Sequence, residues 1–116
     1  MNIAVDSVIK QGLAVLGLIE SHDAVYDCGG ERVAPCSQHR LFYMHGLGHA
    51  IGLDVHDPGT SGIQVGTLAP GDAFSIEPGI YIPGRFGARL EDIVVATDEG
   101  PWSLNNVDHS LVSVEA

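Results

Sequence analysis

Glycine is concentrated after residue 42 of this chain, and this distribution limits the secondary structure that can form there. Eleven of the fifteen glycines lie in that part. A glycine in a helix interior costs up to about 1 kcal/mol relative to alanine, so strands and turns are predicted there rather than helices. The length of 116 residues predicts one small domain.

A helical pattern precedes the glycine-rich part. In residues 3–20, apolar side chains recur at three- and four-residue spacing, at Val5, Val8, Ile9, Leu13 and Leu16, which predicts an amphipathic helix. Residues 21–41 are polar and contain Gly29-Gly30 and Pro35. They are predicted to form a loop that could include one helical turn.

Four strands are predicted in the rest of the chain, at residues 47–55, 72–77, 88–97 and 101–105. The second is bounded by Pro78-Gly79 and the third by residues 98–100, which are typical turn residues. Short strands joined by turns favour an antiparallel sheet. One helix packed on such a sheet gives an α+β domain.

The charge balance excludes several classes of partner. Five basic and fifteen acidic side chains give a formal net charge of −10, so nucleic acid and anionic membrane surfaces are not expected partners. No apolar run approaches the roughly 20 residues that span a bilayer, and no signal peptide is recognisable. Cys28 and Cys36 are interpreted as free thiols in a reducing cytoplasm, with a loop-closing bond as the alternative.

Three histidines, His45, His49 and His56, fall within twelve residues and alternate with glycines. On a strand, His45 and His49 would share one face because they are four residues apart. The small neighbours would let a metal or a substrate approach closely. The alternative is a set of surface or core histidines without a chemical role.

Two carboxylates lie in apolar surroundings. Alternation along the predicted strand places Glu77 on the same face as Ser75. Glu91 is expected to open a buried strand, because the apolar run at residues 93–96 follows it, and a buried carboxylate needs a partner or a metal. The alternatives are an exposed strand-end carboxylate for Glu77 and an ion pair with a nearby arginine for Glu91.

Together, an imidazole and two carboxylates on neighbouring strands indicate a site for a hard or borderline divalent metal such as Mn, Fe, Co or Zn. Such a site would activate a water molecule as a nucleophile.

Three segments carry a family resemblance: HGLGHAIGLDVHDPG, LAPGDAFSIEPGIYIPG and GARLEDIVVATDEG. In order and spacing they resemble the catalytic domain of aminopeptidase P and prolidase, which are pita-bread metallopeptidases related to methionine aminopeptidase. The resemblance covers residues 3–106. It implies half of a pita-bread (creatinase/aminopeptidase) fold, with residues 1–116 as the C-terminal half of the catalytic domain.

The resemblance also implies roles for individual residues. His49 and Glu77 resemble metal ligands, with Glu77 also handling protons, and Glu91 resembles the glutamate that bridges two metals. Three further residues resemble members of the catalytic set. His56 resembles the histidine that stabilises the tetrahedral intermediate, His45 resembles the histidine of the substrate pocket, and Arg89 resembles the arginine beside the bridging glutamate.

The implied activity is that of an Xaa-Pro aminopeptidase, which hydrolyses the bond between an N-terminal residue and proline. The implied cofactor is Mn²⁺, with Co²⁺ or Zn²⁺ as alternatives, and the complete family site holds two ions. Its two aspartate ligands precede the helix that residues 3–20 resemble and have no counterpart here. At most one ion is therefore expected without a partner.

This departure predicts a homodimer or a complex with a complementing N-terminal half. The alternative is a non-catalytic half-domain that binds a single metal, or associates with itself or a partner, without turnover.

Overall fold

A computed structural model of the protein describes residues 2–30, 34–57, 68–110 and 113. In chain order, its elements are helix α1 (Asn2–Val15), strands β1 (Val25–Tyr26) and β2 (Cys36–Ser37), the 3-10 helix η1 (Gln38–Leu41), and strands β3 (Ala50–Ile51), β4 (Ala73–Ile76), β5 (Gly79–Ile82), β6 (Phe86–Arg89), β7 (Asp92–Thr97) and β8 (Gly100–Ser103). One helix with antiparallel strands confirms the predicted α+β class.

The chain forms two compact units, which are described separately. The first contains residues 1–47 and 78–89, and the second contains residues 48–77 and 90–116. None of the helices in the described part of the chain is long and apolar enough to cross a membrane.

Helix α1 ends earlier than predicted because a glycine stops it. Gly17 adopts φ 68°, and its N–H donates to Ala14 O at 3.0 Å while Leu18 N–H donates to Leu13 O at 2.9 Å. These two bonds satisfy the last carbonyls of the helix and form a Schellman motif. The chain therefore leaves the helix before residue 20.

The buried face of α1 is narrower than predicted. Val5, Ile9 and Leu13 lie along one row four residues apart, and burial increases from half-buried to 2% exposed at Leu13. Val8 and Leu16 were predicted on the same face but are 73% and 72% exposed. Val8 lies off this row, and Leu16 follows the end of the helix.

The predicted loop at residues 21–41 contains a short strand pair and the one expected helical turn, η1. Strands β1 and β2 are antiparallel, with Tyr26 opposite Cys36. This pairing brings Cys28 and Cys36 within a Cα–Cα distance of 5.7 Å, and they form a disulfide. The interpretation as free thiols is therefore wrong.

Residues 79–97 contain two structural changes that the sequence pattern did not indicate. Gly79 begins strand β5 instead of ending a strand, and β5 pairs with β6. The predicted strand at 88–97 is two strands, because the backbone of β6 bonds to β5 whereas β7 bonds to β4 and β8.

The second unit is built on a four-stranded antiparallel sheet in the order β3-β4-β7-β8. Strands β4 and β8 confirm the predictions at 72–77 and 101–105. Strand β3 is much shorter than the predicted 47–55, because the chain turns after Ile51 and Asp57 N–H bonds back to Ala50 O at 3.2 Å. Ala50 and Phe74 face each other across β3 and β4 and are buried.

His39 on η1 is a buried histidine in the first unit, 3% exposed. Burial lowers its pKa below the ordinary value of 6.5, although the Asp6 carboxylate opposes this shift. Positive charge nearby, at Arg40, Lys10 and His22, lowers the pKa further. The folded chain therefore holds His39 neutral at a pH where the unfolded chain already binds a proton.

This difference predicts acid destabilisation. Between the lowered folded pKa and the unfolded value of 6.5, the unfolded state binds more protons, so the free energy of unfolding falls as the pH drops below that value. We expect His39→Gln to flatten this slope in denaturant titrations between about pH 7 and pH 5. His109→Gln is the matched control at an exposed position. An unchanged slope in His39→Gln would contradict the assignment.

Candidate functional site

Three side chains of the second unit form a connected group at the end of strands β3 and β4. Ser75 N–H donates to His49 O at 2.9 Å, and His49 N–H donates to Ser75 Oγ at 3.0 Å. The Ser75 hydroxyl in turn donates to Glu77 Oε1 at 2.9 Å. As a result, His49 Nε2 lies 3.4 Å from Glu77 Oε1.

The proton on the His49 ring can be assigned from its neighbours. His49 Nδ1 lies 3.0 Å from Ala50 O, and a carbonyl oxygen only accepts, so Nδ1 carries the proton. In the neutral ring, Nε2 is then an acceptor that faces a second acceptor, Glu77 Oε1. Two such atoms attract each other only through a shared cation or proton. A metal-binding histidine typically has this orientation, with its other nitrogen bonded to a backbone carbonyl.

Close packing of the strands sets this geometry. A Cβ at Gly48 would overlap the carbonyl group of Ser75, so only glycine lets the chain before β3 approach β4 this closely. Ser75 is 1% exposed, and the Glu77 side chain is 14% exposed. Glu77 is thus mostly buried, and the alternative prediction of an exposed carboxylate at the strand end is wrong.

His56 lies beside His49, with ring centroids 4.1 Å apart and the ring planes 64° apart. It reaches this position through the turn at residues 52–57 and not along a strand. The turn is tight, since a Cβ at Gly52 would overlap the Asp57 carboxylate. The catalytic role of His56 stays a prediction.

Glu91 lies directly before β7 and is exposed. The prediction that it opens a fully buried strand is wrong, because β7 is half-buried and begins one residue later. Across the described ranges 2–30, 34–57, 68–110 and 113, no three His, Cys, Asp or Glu side chains form a group that could hold a metal. The metal-binding role of Glu91 therefore stays a prediction.

His45 and Arg89 belong to the first unit. His45 lies in a bend before β3, so the prediction that it shares a strand face with His49 is wrong. Its ring contacts Tyr43 and Tyr81. Arg89 is the last residue of β6 and is exposed. Its catalytic role stays a prediction.

Sequence reasoning did not assign a role to Ser75, which bonds to Glu77, or to Tyr81, which bonds to His45. The alternation that placed Ser75 on the Glu77 face was the available signal for the first. A comparable signal for Tyr81 was absent, because the hairpin that carries it was not predicted.

Comparison with known proteins identifies the family. The sequence model of metallopeptidase family M24 matches residues 2–98 of this chain. A probable dipeptidase PepE of Mycobacterium tuberculosis is 53% identical over 75 residues, which are 63% of this chain and 20% of that protein. An Xaa-Pro aminopeptidase of Escherichia coli is 35% identical over 107 residues, 84% of this chain and 23% of that protein.

Solved structures agree with this match. A dipeptidase PepE from Mycobacterium ulcerans has a TM-score of 0.58 and 40% identity, over 93% of this chain and 24% of that one. An Xaa-Pro dipeptidase from Bacillus anthracis has a TM-score of 0.55 and 37% identity, over 62% of this chain and 21% of that one. The chain thus spans a fifth to a quarter of the length of these relatives. It belongs to metallopeptidase family M24 and has an α+β fold of the pita-bread type.

Proposed function

We propose that this chain supplies part of a divalent-metal centre that hydrolyses the peptide bond between an N-terminal residue and proline. The distance of 3.4 Å between His49 Nε2 and Glu77 Oε1 carries the proposal, because a divalent cation bound by both atoms would account for two acceptors that face each other. The similar proteins named Xaa-Pro aminopeptidase and Xaa-Pro dipeptidase support the reaction class.

The proposed ligands are His49, Glu77 and Glu91. A bound divalent ion would supply an activated water at neutral pH. Glu77 would accept and pass on the proton of that water, while Ser75 holds its carboxylate in place through the 2.9 Å hydrogen bond. His56, beside His49, would stabilise the negative charge that develops on the scissile carbonyl oxygen.

Three further assignments belong to the proposal. The donor set of imidazole and carboxylates suits Mn²⁺, Co²⁺ or Zn²⁺, and the family resemblance favours Mn²⁺ among them. His45 is assigned to the substrate pocket, and Arg89 is assigned beside Glu91. One ion is expected for this chain alone, whereas the complete site would hold two, with aspartate ligands from outside these 116 residues.

Association with a second polypeptide is supported by exposed apolar surface. On the described part of α1, the large apolar side chains that are exposed are Ile3, Val8 and Val15, and Trp102 and Leu104 are exposed at and after β8. We propose a homodimer or a complex with a complementing half of the catalytic domain. Without either, the alternative function is single-metal binding without turnover.

The proposed location is the cytoplasm. The Cys28–Cys36 disulfide would be unusual there, because disulfides are rare in reducing compartments. Fractionation of cells tests the location directly, since recovery of the protein in the cytoplasmic fraction supports it and recovery outside that fraction contradicts it.

A calorimetric Mn²⁺ titration of the chelator-stripped chain tests the proposed function. We expect binding of one ion, and Glu77→Gln should weaken it by more than the roughly 10- to 100-fold that loss of an outer-shell partner costs. Glu91→Ala should weaken it similarly. Asp98→Asn is the matched control, because it removes an exposed carboxylate in the β7–β8 turn.

Binding of two ions per chain would show that a partner supplies the missing ligands. Hydrolysis of Xaa-Pro peptides by the loaded chain would then separate the enzyme from the metal-binding alternative. Absence of binding, or binding that Glu77→Gln leaves unchanged, would overturn the proposed metal centre.

A further inference from the structure

The His45 ring has both of its nitrogens bonded to the chain itself. Nδ1 lies 2.7 Å from Gly46 O, and Nε2 lies 3.0 Å from Tyr81 Oη. Tyr43, which is 1% exposed, packs its ring edge-on against the imidazole with centroids 4.9 Å apart. The Tyr81 ring packs against the imidazole at 5.5 Å. This imidazole is therefore fixed in position and orientation.

The position of Tyr81 is built into the β5–β6 hairpin. Tyr81 lies directly opposite Gly87, and a Cβ at Gly87 would lie 2.6 Å from the ring atom Cδ1. A Cβ at Gly79 would lie 2.5 Å from the phenol oxygen. Two glycines thus leave room for the tyrosine ring, and Tyr81 N–H is anchored to Phe42 O at 2.9 Å.

These contacts determine where the protons are. A carbonyl oxygen only accepts, so His45 Nδ1–H donates to Gly46 O. In the neutral ring, Nε2 is then an acceptor, and the Tyr81 O–H donates to it. The remaining lone pair of Tyr81 Oη can then accept a hydrogen bond from another molecule.

We propose that Tyr81 is the positioning residue for His45, and that the His45–Tyr81 pair binds a hydrogen-bond donor such as a substrate amine or amide N–H. A histidine with a free Nε2–H would instead bind a carbonyl or carboxylate oxygen. The inference rests on the proposed function only in placing His45 in a substrate pocket.

The arrangement of protons is tested by nitrogen-15 NMR of the full chain labelled at histidine, without metal and above neutral pH. We expect a protonated Nδ1 and an unprotonated Nε2 for His45, and Tyr81→Phe should shift the Nε2 resonance because its donor is lost. Tyr26→Phe is the matched control, since it removes a phenol on β1. Thermal melts of both variants check that they fold.

The ligand class is tested in the same samples with two small probes. L-Prolinamide carries N–H donors near its ring, whereas N-acetyl-L-proline carries a carboxylate and an acylated nitrogen without a proton. We expect prolinamide alone to shift the His45 Nε2 resonance, and Tyr81→Phe to remove that shift.

A protonated Nε2, or an Nε2 resonance that Tyr81→Phe leaves unchanged, would overturn the positioning role. A response to N-acetylproline, or to neither probe, would overturn the assigned ligand class. None of these measurements requires metal or turnover, so a failed Mn²⁺ titration is a separate result and concerns only the proposed function.

Discussion

Replacing Gly48 by alanine is expected to lower the free energy of unfolding by about 3 kcal/mol, at the upper end of the usual cost of overpacking. The new Cβ would overlap the backbone carbonyl of Ser75, which cannot rotate away as a side chain can. Relief requires the two segments to separate, and this would break the His49–Ser75 hydrogen bonds of 2.9 and 3.0 Å.

Gly46→Ala is the matched control for this variant. It makes the same change two residues earlier, where no atom lies within 4 Å of the added Cβ and φ is not in the left-handed region. Denaturant unfolding of both variants measures the difference. Equal stability of Gly48→Ala and Gly46→Ala would contradict the close approach of Gly48 to the Ser75 carbonyl.

Replacing Ser75 by alanine is expected to have two effects. The buried hydroxyl accepts from His49 N–H and donates to Glu77 Oε1, so its removal leaves both groups without this partner at a cost of about 2 kcal/mol. It also removes a hydrogen bond that orients the Glu77 carboxylate. We therefore expect Mn²⁺ binding to weaken by about 10- to 100-fold.

Ser103→Ala is the control for this variant, because it removes a hydroxyl from the exposed strand β8. Urea unfolding gives the stability change, and calorimetry gives the affinity change. A stability loss without a change in Mn²⁺ affinity would show that Ser75 supports the fold but does not orient a metal ligand.

The structural features that were predicted correctly are those that a local sequence pattern determines. Two-residue alternation placed Ser75 and Glu77 on one face of β4. Glycine density predicted strands and turns after residue 42, and the residues that the structure describes between 43 and 110 contain no helix. The helix at the N-terminus was also predicted. Its buried face is narrower than expected, since Val8 is exposed, and its end was wrong because the sequence does not show that Gly17 adopts a positive φ.

The failures occurred where pairing partners, rather than local preference, decide the structure. Residues 88–97 are continuous in strand propensity, yet their two parts bond to different sheets. The pairing of β1 with β2 likewise brought Cys28 to Cys36. Such long-range hydrogen bonds cannot be read from local patterns in a single sequence. The environment of Glu91 could therefore not be derived from the residues beside it in the sequence.

The Ala50 carbonyl has a consequence for how the site would respond to a ligand. This oxygen accepts from His49 Nδ1 at 3.0 Å and from Asp57 N–H at 3.2 Å. The tilt of one imidazole and the closure of the turn that carries His56 therefore share a single anchor atom. A movement of that turn that shifts the Ala50 carbonyl would also tilt the His49 ring and change the direction of its Nε2 lone pair. A ligand that moves His56 would therefore also reorient His49.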